Sequence, residues 1–345
     1  MPSFSPSVLA HISQPVRLRW KRYTLRFRVP AGTSRGILTE RITYIIEASS
    51  ANGIGLGECC IMPGLLPDIV EAELEFWCKQ VEKKQSLTPF EAPSPIQFGL
   101  ESALLASLSA PLARWNTPFA RGEDYVPIHH LIWMGEEDKM LQSAEAGITK
   151  GFSCLKLKIG ALSWAREQRL LTLLRNKYPT VEIRVDANGA FSYDEAISVL
   201  HFLADLNIAF IEQPIQRDNW SEMANLCRES PTPIALDEEL IAHSQQAEHA
   251  GLLLDAIRPQ AIVIKPSLHG GLCAAENWAA HAESRGIKWW VNSALESKVG
   301  LTCLAEWCGL RAPGQMQGLG TGLLYTENLQ APVQLSGNRL FYRPC

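Results

Sequence analysis

Residues 154–188 read CLKLKIGALSWAREQRLLTLLRNKYPTVEIRVDAN. Both ends of this segment are short and apolar, which predicts strands near 154–159 and 182–187. Between them, residues 164–178 show the periodicity of an amphipathic helix. A helix of this length is a usual connection between two parallel strands, so the segment is predicted to form one strand–helix–strand unit.

The same alternation of strands and helices continues from about residue 125 to about residue 320. Eight such units over roughly 200 residues are typical of a (β/α)8 barrel, so the predicted fold class is α/β. A doubly wound open sheet is the alternative, but no G-x-G-x-x-G motif follows a strand, which weakens its dinucleotide-binding form. The predicted strands lie near 126–133, 154–159, 182–187, 208–213, 233–238, 261–265, 288–293 and 316–320.

The N-terminal third of the chain has a different pattern. Alternating apolar and polar residues predict strands there, and two helical patterns follow them, so a small α+β unit is expected before the barrel. The predicted elements are strands at 23–29, 42–48 and 53–58, a small-residue loop at 30–36, and helices at about 66–83 and 94–116.

Composition limits the class of protein. The chain has 345 residues, of which 46% are hydrophobic and 20% charged, as in a globular protein with a sizeable core. Its net charge of -4 argues against a nucleic-acid partner. No apolar run reaches the ~18 residues of a membrane span, and the first twenty residues lack a secretory signal pattern. The nine cysteines include no C-x-x-C pair, so we expect reduced, buried thiols in a cytoplasmic protein.

Charged residues recur at the C-terminal ends of consecutive predicted strands. The acids are Asp186, Glu212 and Asp237, each one strand–helix unit after the last. We expect them to converge, because the C-terminal ends of barrel strands form one mouth, where active sites of this fold lie. Converging carboxylates repel one another unless a cation neutralises them, and oxygen ligands favour Mg²⁺, Mn²⁺ or Ca²⁺. The sequence therefore predicts a divalent metal site, with helix capping by each acid as the alternative.

Three lysines accompany these acids. Lys156 and Lys158 lie two residues apart on one predicted strand and so project to the same side. Two close ammonium groups depress each other's pKa, which favours a neutral amine able to act as a base toward a carbon acid. Lys265 follows the sixth strand, across the mouth. A Schiff-base lysine is an alternative, but it leaves the three acids unexplained.

The charged motifs together resemble the enolase superfamily, and in particular its muconate lactonizing subgroup. The likeness extends to Gly57-Glu58 and to the segment 100–105 before the barrel. Arg184, ahead of the first acid, and the segment 293–297 most resemble the o-succinylbenzoate synthases within that subgroup. The motifs that carry the resemblance are K-x-K at 156–158, D-x-N at 186–188, E-Q-P at 212–214, D-E at 237–238 and K-P at 265–266.

The resemblance implies a three-part chain. An α+β capping domain is expected at 1–122 and a (β/α)7β-type barrel carrying the active site at 123–325. A C-terminal tail at 326–345 is expected to return to the capping domain. The implied partner is a small-molecule carboxylate substrate, bound beneath a lid formed by the 30–36 loop and the segment 59–65.

The resemblance also implies roles for the charged residues. Lys158 removes the α-proton of the substrate and then donates a proton to the departing hydroxyl. Lys265 is a cation on the opposite face, and Lys156 positions Lys158. Mg²⁺, with Mn²⁺ as a possible substitute, holds the substrate carboxylate and stabilises the enediolate. The implied metal ligands are Asp186, Glu212 and Asp237.

Further residues are candidates for the surroundings of this centre. Asn188 is expected to support the metal or the substrate carboxylate. Arg184 is a further candidate for substrate binding or for supporting the metal centre. Glu238 either pairs with Lys265 or is a solvated carboxylate. Hydroxyl groups that bind the succinyl end of the substrate, or instead cap helices, are those of Ser293, Ser297 and Thr321. His129 and His130 are interpreted as core or strand-end histidines.

Three functions remain open at this point. The first is a Mg²⁺-dependent syn-dehydration in menaquinone biosynthesis. The second is racemisation of N-acylamino acids or epimerisation of dipeptides, with Lys158 and Lys265 as two bases. Dipeptide epimerases of this kind carry an acidic D-x-D after strand eight, where this chain has Gly320-Thr321-Gly322. The third is a binding protein without catalysis, which the six charged residues argue against.

Overall fold

A computed structural model describes residues 9–33, 36–67, 69–242 and 247–343 of the chain. It contains an N-terminal antiparallel sheet with two helices and a barrel of parallel strands surrounded by helices. This confirms the predicted fold class. No helix in the described part of the chain is long and apolar enough to cross a membrane. The eight described cysteines are buried free thiols, and Cys345 lies outside the described residues.

The N-terminal unit is a three-stranded sheet covered by helices. Its elements are β1 (Arg17–Thr33), β2 (Gly36–Ser49), β3 (Ile54–Cys60), α1 (Glu71–Lys84) and α2 (Ser94–Ser109). The sheet order is β1-β2-β3, and α2 is buried on almost every side, as a helix that is apolar all round must be. Gly57 permits this packing, because a Cβ there would lie 2.0 Å from the carbonyl oxygen of Gly99 on α2.

The predicted loop at 30–36 is shorter in the structure. β1 continues to Thr33 and β2 begins at Gly36, with a register shift between Arg26 and Ala31. Residues 34–35 lie outside the described residues. The shift accommodates Pro30, which cannot donate a ladder hydrogen bond and is tolerated on an edge strand. The helix predicted at 94–116 ends at Ser109, since Pro111 cannot continue it.

Seven parallel strands form the barrel. They are hydrogen-bonded in chain order from β5 to β11, and helices cover the outside. The elements are β4 (Tyr125–Pro127), β5 (His130–Ile132), α3 (Glu137–Thr149), β6 (Cys154–Lys158), α4 (Trp164–Lys177), β7 (Glu182–Asp186), α5 (Tyr193–Asp205), β8 (Phe210–Glu212), α6 (Trp220–Glu229), β9 (Ile234–Leu236), α7 (Glu238–Ala242), α8 (Ala247–Ile257), β10 (Ala261–Ile264), α9 (Gly271–Glu283), β11 (Lys288–Val291) and α10 (Lys298–Arg311).

The prediction of a regular eighth strand at 316–320 is wrong. Gln317 and Gly318 instead form isolated bridges to Ile128 and Asn292, and these bridges close the gap between the first and last strands. The backbone runs so close to Asn292 here that a Cβ on Gly318 would lie 1.9 Å from its side-chain amide. A short 3₁₀ segment follows at once. The first predicted strand, 126–133, is likewise divided into β4 and β5.

The C-terminal residues form a hairpin of β12 (Val333–Ser336) and β13 (Arg339–Tyr342). β13 pairs with β4 in a separate three-stranded sheet. The ring of Tyr342 also contacts Phe119, with ring centroids 5.9 Å apart. The tail therefore packs where the N-terminal unit leads into the barrel.

Candidate active site

Three carboxylates meet at the C-terminal ends of β7, β8 and β9. Asp186 and Glu212 are paired in register at their strand ends, and Asp237 directly follows β9. All three are fully buried, and one oxygen of each lies within 4.8 Å of the others. The strand register thus brings together the acids that the sequence predicts to converge.

This group of acids fits a divalent cation. Glu212 Oε1 and Asp237 Oδ1 are buried, and neither has a hydrogen-bond partner among the described residues. Leaving a buried charged oxygen without a partner is costly. Carboxylate oxygens in such a cluster are the ligands that hard cations such as Mg²⁺ take. The unpartnered oxygens are therefore suited to holding a metal ion.

The three lysines approach the acids from two sides of the barrel. Lys156 contacts Glu212 and lies 3.0 Å from Asp186 Oδ2. Lys158 Nζ is 2.7 Å from the same oxygen. Lys265, which directly follows β10, lies 2.5 Å from Asp237 Oδ2. Because β6 and β10 are four strands apart in the sheet order, Lys158 and Lys265 face one cavity from different sides.

The pKa values of the charged groups in this cluster are shifted in different directions. Burial lowers the pKa of Lys156, but the charges of Asp186 and Glu212 outweigh it and raise that pKa overall. The predicted lowering by a second lysine therefore does not hold for Lys156. Burial raises the pKa of Asp186, but Lys156 and Lys158 outweigh it and lower that pKa overall. Burial raises the pKa of Glu212 to about 7, and the neighbouring charges of Asp186 and Asp237 act in the same direction.

Asn188 connects Lys158 to a further buried acid, Glu238. Its Oδ1 accepts a hydrogen bond from Lys158 Nζ at 2.8 Å, and its Nδ2 donates to Glu238 Oε1 at 2.8 Å. Glu238 is only 7% exposed, so the interpretation as a solvated carboxylate is wrong. Burial raises the pKa of Glu238. Asn188 adopts φ +45°, a left-handed conformation that asparagine tolerates well.

The other predicted residues divide between the cavity and the surrounding structure. Ser293 and Thr321 line the cavity. Ser297 does not, because it is the N-cap of α10 and donates to Glu58 at 2.5 Å. Arg184 lies two residues before Asp186 on β7, deeper in the barrel. There its guanidinium is 2.6 Å from Glu182 and 4.5 Å from the ring centroid of Trp290.

Several cavity residues escaped the sequence analysis. His129, interpreted as a core histidine, is buried but also lines the cavity. Asn292 directly follows β11, and the three acids likewise lie at or directly after the ends of their strands, so this position was the available signal. Most of the remaining wall is apolar and comes from the N-terminal unit, from strand β5 and from the barrel loops. These wall residues are Leu38, Met62, Pro63, Leu65, Leu131, Trp133, Leu268, Ala294 and Leu295.

Two glutamates join the N-terminal unit to barrel helices. Glu58 on β3 accepts hydrogen bonds from the backbone N–H groups of Ser297 and Gly300 at the start of α10, at 2.8 and 3.0 Å. Glu101 on α2 accepts from the backbone N–H groups of Leu272 and Cys273 at the start of α9. A carboxylate at a helix N-terminus is favourable, so both joints stabilise the position of the cap on the barrel.

Removing the ion-pair partner of Glu58 should destabilise the fold. Arg41 pairs with Glu58 at 2.8 Å, and both side chains are almost fully buried. Arg41→Met should lower the free energy of unfolding by about 3–5 kcal/mol, because it leaves a buried charge uncompensated. Chemical denaturation measures this. The matched control is Arg26→Met, which breaks an exposed 3.9 Å pair with Glu40 and should cost no more than about 1 kcal/mol. Equal losses of unfolding free energy in the two variants would contradict a stabilising role of the buried Arg41–Glu58 pair.

A capped barrel with an acid triad between opposed lysines defines a class of enzyme. A family model described as Enolase C-terminal domain-like matches residues 139–315. The chain belongs to the enolase superfamily, as its motifs predict.

Individual relatives of this chain include an o-succinylbenzoate synthase and an epimerase. An o-succinylbenzoate synthase of Desulfotalea psychrophila is 40% identical, over 94% of this chain and 98% of its own length. The crystal structure of MenC from that organism superposes with a TM-score of 0.83 and 36% identity, covering 95% of this chain and 99% of that one. The L-Ala-D/L-Glu epimerase of Bacillus subtilis shares the fold, with a TM-score of 0.84 and 21% identity over 95% and 96%. The chain is thus an enzyme homologous to o-succinylbenzoate synthase.

Proposed function

We propose that this enzyme is a Mg²⁺-dependent o-succinylbenzoate synthase, a lyase of menaquinone biosynthesis. It dehydrates a 2-succinyl-6-hydroxy-cyclohexadiene carboxylate through an enediolate. The observation that carries the proposal is a cavity lined by Lys158, Lys265 and Asp186, with the other two acids of the buried triad directly beside Asp186. The 40% identity to an o-succinylbenzoate synthase over nearly the whole chain supports the choice of reaction.

Asp186, Glu212 and Asp237 would hold the metal ion. When bound, Mg²⁺ supplies a positive charge for the substrate carboxylate and for the negative charge that develops as the α-proton leaves. Asn188 and Asp186 hold Lys158 Nζ at 2.8 and 2.7 Å, so the amine is oriented before the substrate arrives.

Lys158 performs both proton transfers in this proposal. Its neutral amine takes the α-proton, and the resulting ammonium donates a proton to the hydroxyl that departs from the same face. Water leaves with the C–O bonding electrons, and the ring becomes aromatic. Lys265, held by Asp237, stays protonated on the other face and stabilises the charge that develops in the ring.

The cavity wall suits a ring that carries an acyl arm. The volume is about 240 Å³, and most of the lining away from the acids is apolar. Leu38 and Met62 reach it from the N-terminal unit, while Trp133 and Leu295 belong to barrel loops. Such a wall excludes water from a reactive carbanion.

An isomerase on the same scaffold is the second candidate, because Lys265 occupies the place a second base would need. Racemisation of an N-acylamino acid would use it with Lys158. Epimerisation of a dipeptide also needs an acid for the substrate ammonium. The segment 320–322 contributes Gly320 and Thr321 to the cavity and no carboxylate, which favours dehydration over dipeptide epimerisation.

An assay with the cyclohexadiene carboxylate tests the proposal. With Mg²⁺, the ultraviolet absorbance of the aromatic product should appear, and EDTA should abolish it until excess Mg²⁺ is restored. Activity that survives EDTA would overturn the metal assignment. Absence of product at high enzyme concentration, together with racemisation of an N-succinylamino acid, would establish the isomerase instead.

A further inference from the structure

A buried hydrogen-bonded chain lies behind one wall of the cavity. Thr321 donates to Ser293 Oγ at 2.7 Å, and Ser293 donates to one carboxylate oxygen of Glu296. Ser267 donates to the other oxygen of Glu296. Glu296 and Ser267 are fully buried, whereas Ser293 and Thr321 line the cavity.

This chain connects three loops at the mouth of the barrel. Ser267 lies two residues after Lys265, Ser293 lies just after β11, and Thr321 lies in the 3₁₀ segment at Gly320–Leu323. The carboxylate of Glu296 hydrogen-bonds to both serines, one at each oxygen. It therefore fixes the first two loops relative to each other and, through Ser293, the third.

The two hydroxyl groups that line the cavity differ in what they offer a ligand. Ser293 donates its one hydroxyl proton in a hydrogen bond to Glu296. Its oxygen also accepts hydrogen bonds from the backbone N–H groups of Leu295 and Glu296 at 3.0 and 3.2 Å. A hydroxyl has one proton and two lone pairs, so Ser293 is saturated. Among the described residues, the hydroxyl of Thr321 hydrogen-bonds to Ser293 alone. Turning its proton to a ligand leaves Ser293 satisfied.

None of the described residues at this end of the cavity offers a free cation. Among the described lining residues the cationic side chains are Lys156, Lys158 and Lys265, and each contacts an acid of the triad. Oxygen atoms of an acyl arm that extends away from the triad must therefore be recognised by neutral donors. Thr321 is such a donor, with no contact to the triad.

We propose that Glu296 is a positioning residue for recognition of the substrate's acyl arm, and that Thr321, rather than Ser293, makes the contact. The identity of that arm rests on the proposed function. Glu296 acts through Ser293. It accepts the hydrogen bond of the Ser293 hydroxyl, and the position of that hydroxyl in turn sets the position of Thr321.

Two competitive inhibitors of the Mg²⁺-loaded enzyme distinguish recognition of the acyl arm from recognition of the rest of the ligand. The probes are o-succinylbenzoate and benzoate, which lacks the arm. Thr321→Val should raise the inhibition constant of o-succinylbenzoate about five- to tenfold, the effect of one hydrogen bond. That of benzoate should stay within about twofold, and Thr321→Ser should restore wild-type binding because it keeps the hydroxyl.

Glu296 is tested by the same selectivity. Glu296→Ala should reproduce the Thr321→Val pattern, while Glu296→Gln should bind almost normally, because an amide can still engage both serines. Adding Ser293→Ala to Glu296→Ala should cause little further loss, since the two act in one chain. Glu296→Gln and Thr321→Val alter little volume, so they remain informative if the alanine variant unfolds.

The outcomes separate the inference from the proposed function. A wild-type enzyme with no preference for o-succinylbenzoate over benzoate overturns both. A wild-type enzyme with that preference whose Thr321→Val variant keeps it overturns the inference alone. Equal weakening of both probes by Glu296→Ala, with no rescue by Glu296→Gln, indicates a general structural role and also overturns it.

Discussion

Lys158→Ala should lower kcat for dehydration by about 10²–10⁴-fold, the usual contribution of general acid–base catalysis by one side chain. The loss should lie at the upper end of this range, because the proposed reaction uses Lys158 first as base and then as acid. Dehydration is followed by the ultraviolet absorbance of the product. The matched control is Lys177→Ala on α4. The side chain of Lys177 is 57% exposed and pairs with Glu145, outside the acid triad.

The variant should keep its fold and its metal site. Asp186 retains Lys156 at 3.0 Å when Lys158 is removed, so this acid stays paired. Mg²⁺ affinity and the thermal midpoint should therefore change little. Substantial residual dehydration would reject Lys158 as the base, and loss of metal binding would show that its main role is to organise the triad.

Glu212→Gln should remove metal binding and activity together. Glutamine keeps the shape of the side chain but supplies no negative charge. Changes even to residues behind metal ligands cost about 10–100-fold in affinity, so loss of a ligand should cost at least about 100-fold. Titration calorimetry with Mg²⁺ or Mn²⁺ measures the affinity, and the dehydration assay measures the activity in parallel.

Glu167→Gln provides the matched control for that experiment. Glu167 is also buried, but it accepts hydrogen bonds from the backbone of the loop after β6, including Gly160 at 2.8 Å. Its replacement should leave metal affinity unchanged. If Glu212→Gln bound Mg²⁺ as tightly as the wild type, the triad would not be the metal site.

The charged centre could be predicted from the sequence because it depends on local repetition. Side chains two apart on a strand share a face, which places Lys156 with Lys158, and each strand–helix unit returns the chain to the same mouth. Asp186, Glu212 and Asp237 therefore meet whatever the details of the helices. The same logic located Asn188, although its contact with Glu238 was not foreseen.

The surroundings of this centre could not be predicted in the same way, because they depend on contacts between distant parts of the chain. Glu58 and Ser297 are 239 positions apart, and nothing local to either residue indicates their hydrogen bond. Ser293 and Ser297 look equivalent in sequence, yet only the second begins a helix. Leu38 and Met62 reach the cavity only because the N-terminal sheet rests on the barrel mouth.

The glutamates of β3 and α2 also bear on how such enzymes can diverge. Each supplies the missing acceptor for the first turn of a helix in the other half of the molecule. A graft that exchanges the N-terminal half with that of a relative must therefore conserve Glu58 and Glu101, or provide new partners for both helices. This requirement restricts modular recombination, so new specificities on this scaffold should arise more readily by point substitution in the loops than by exchange of halves.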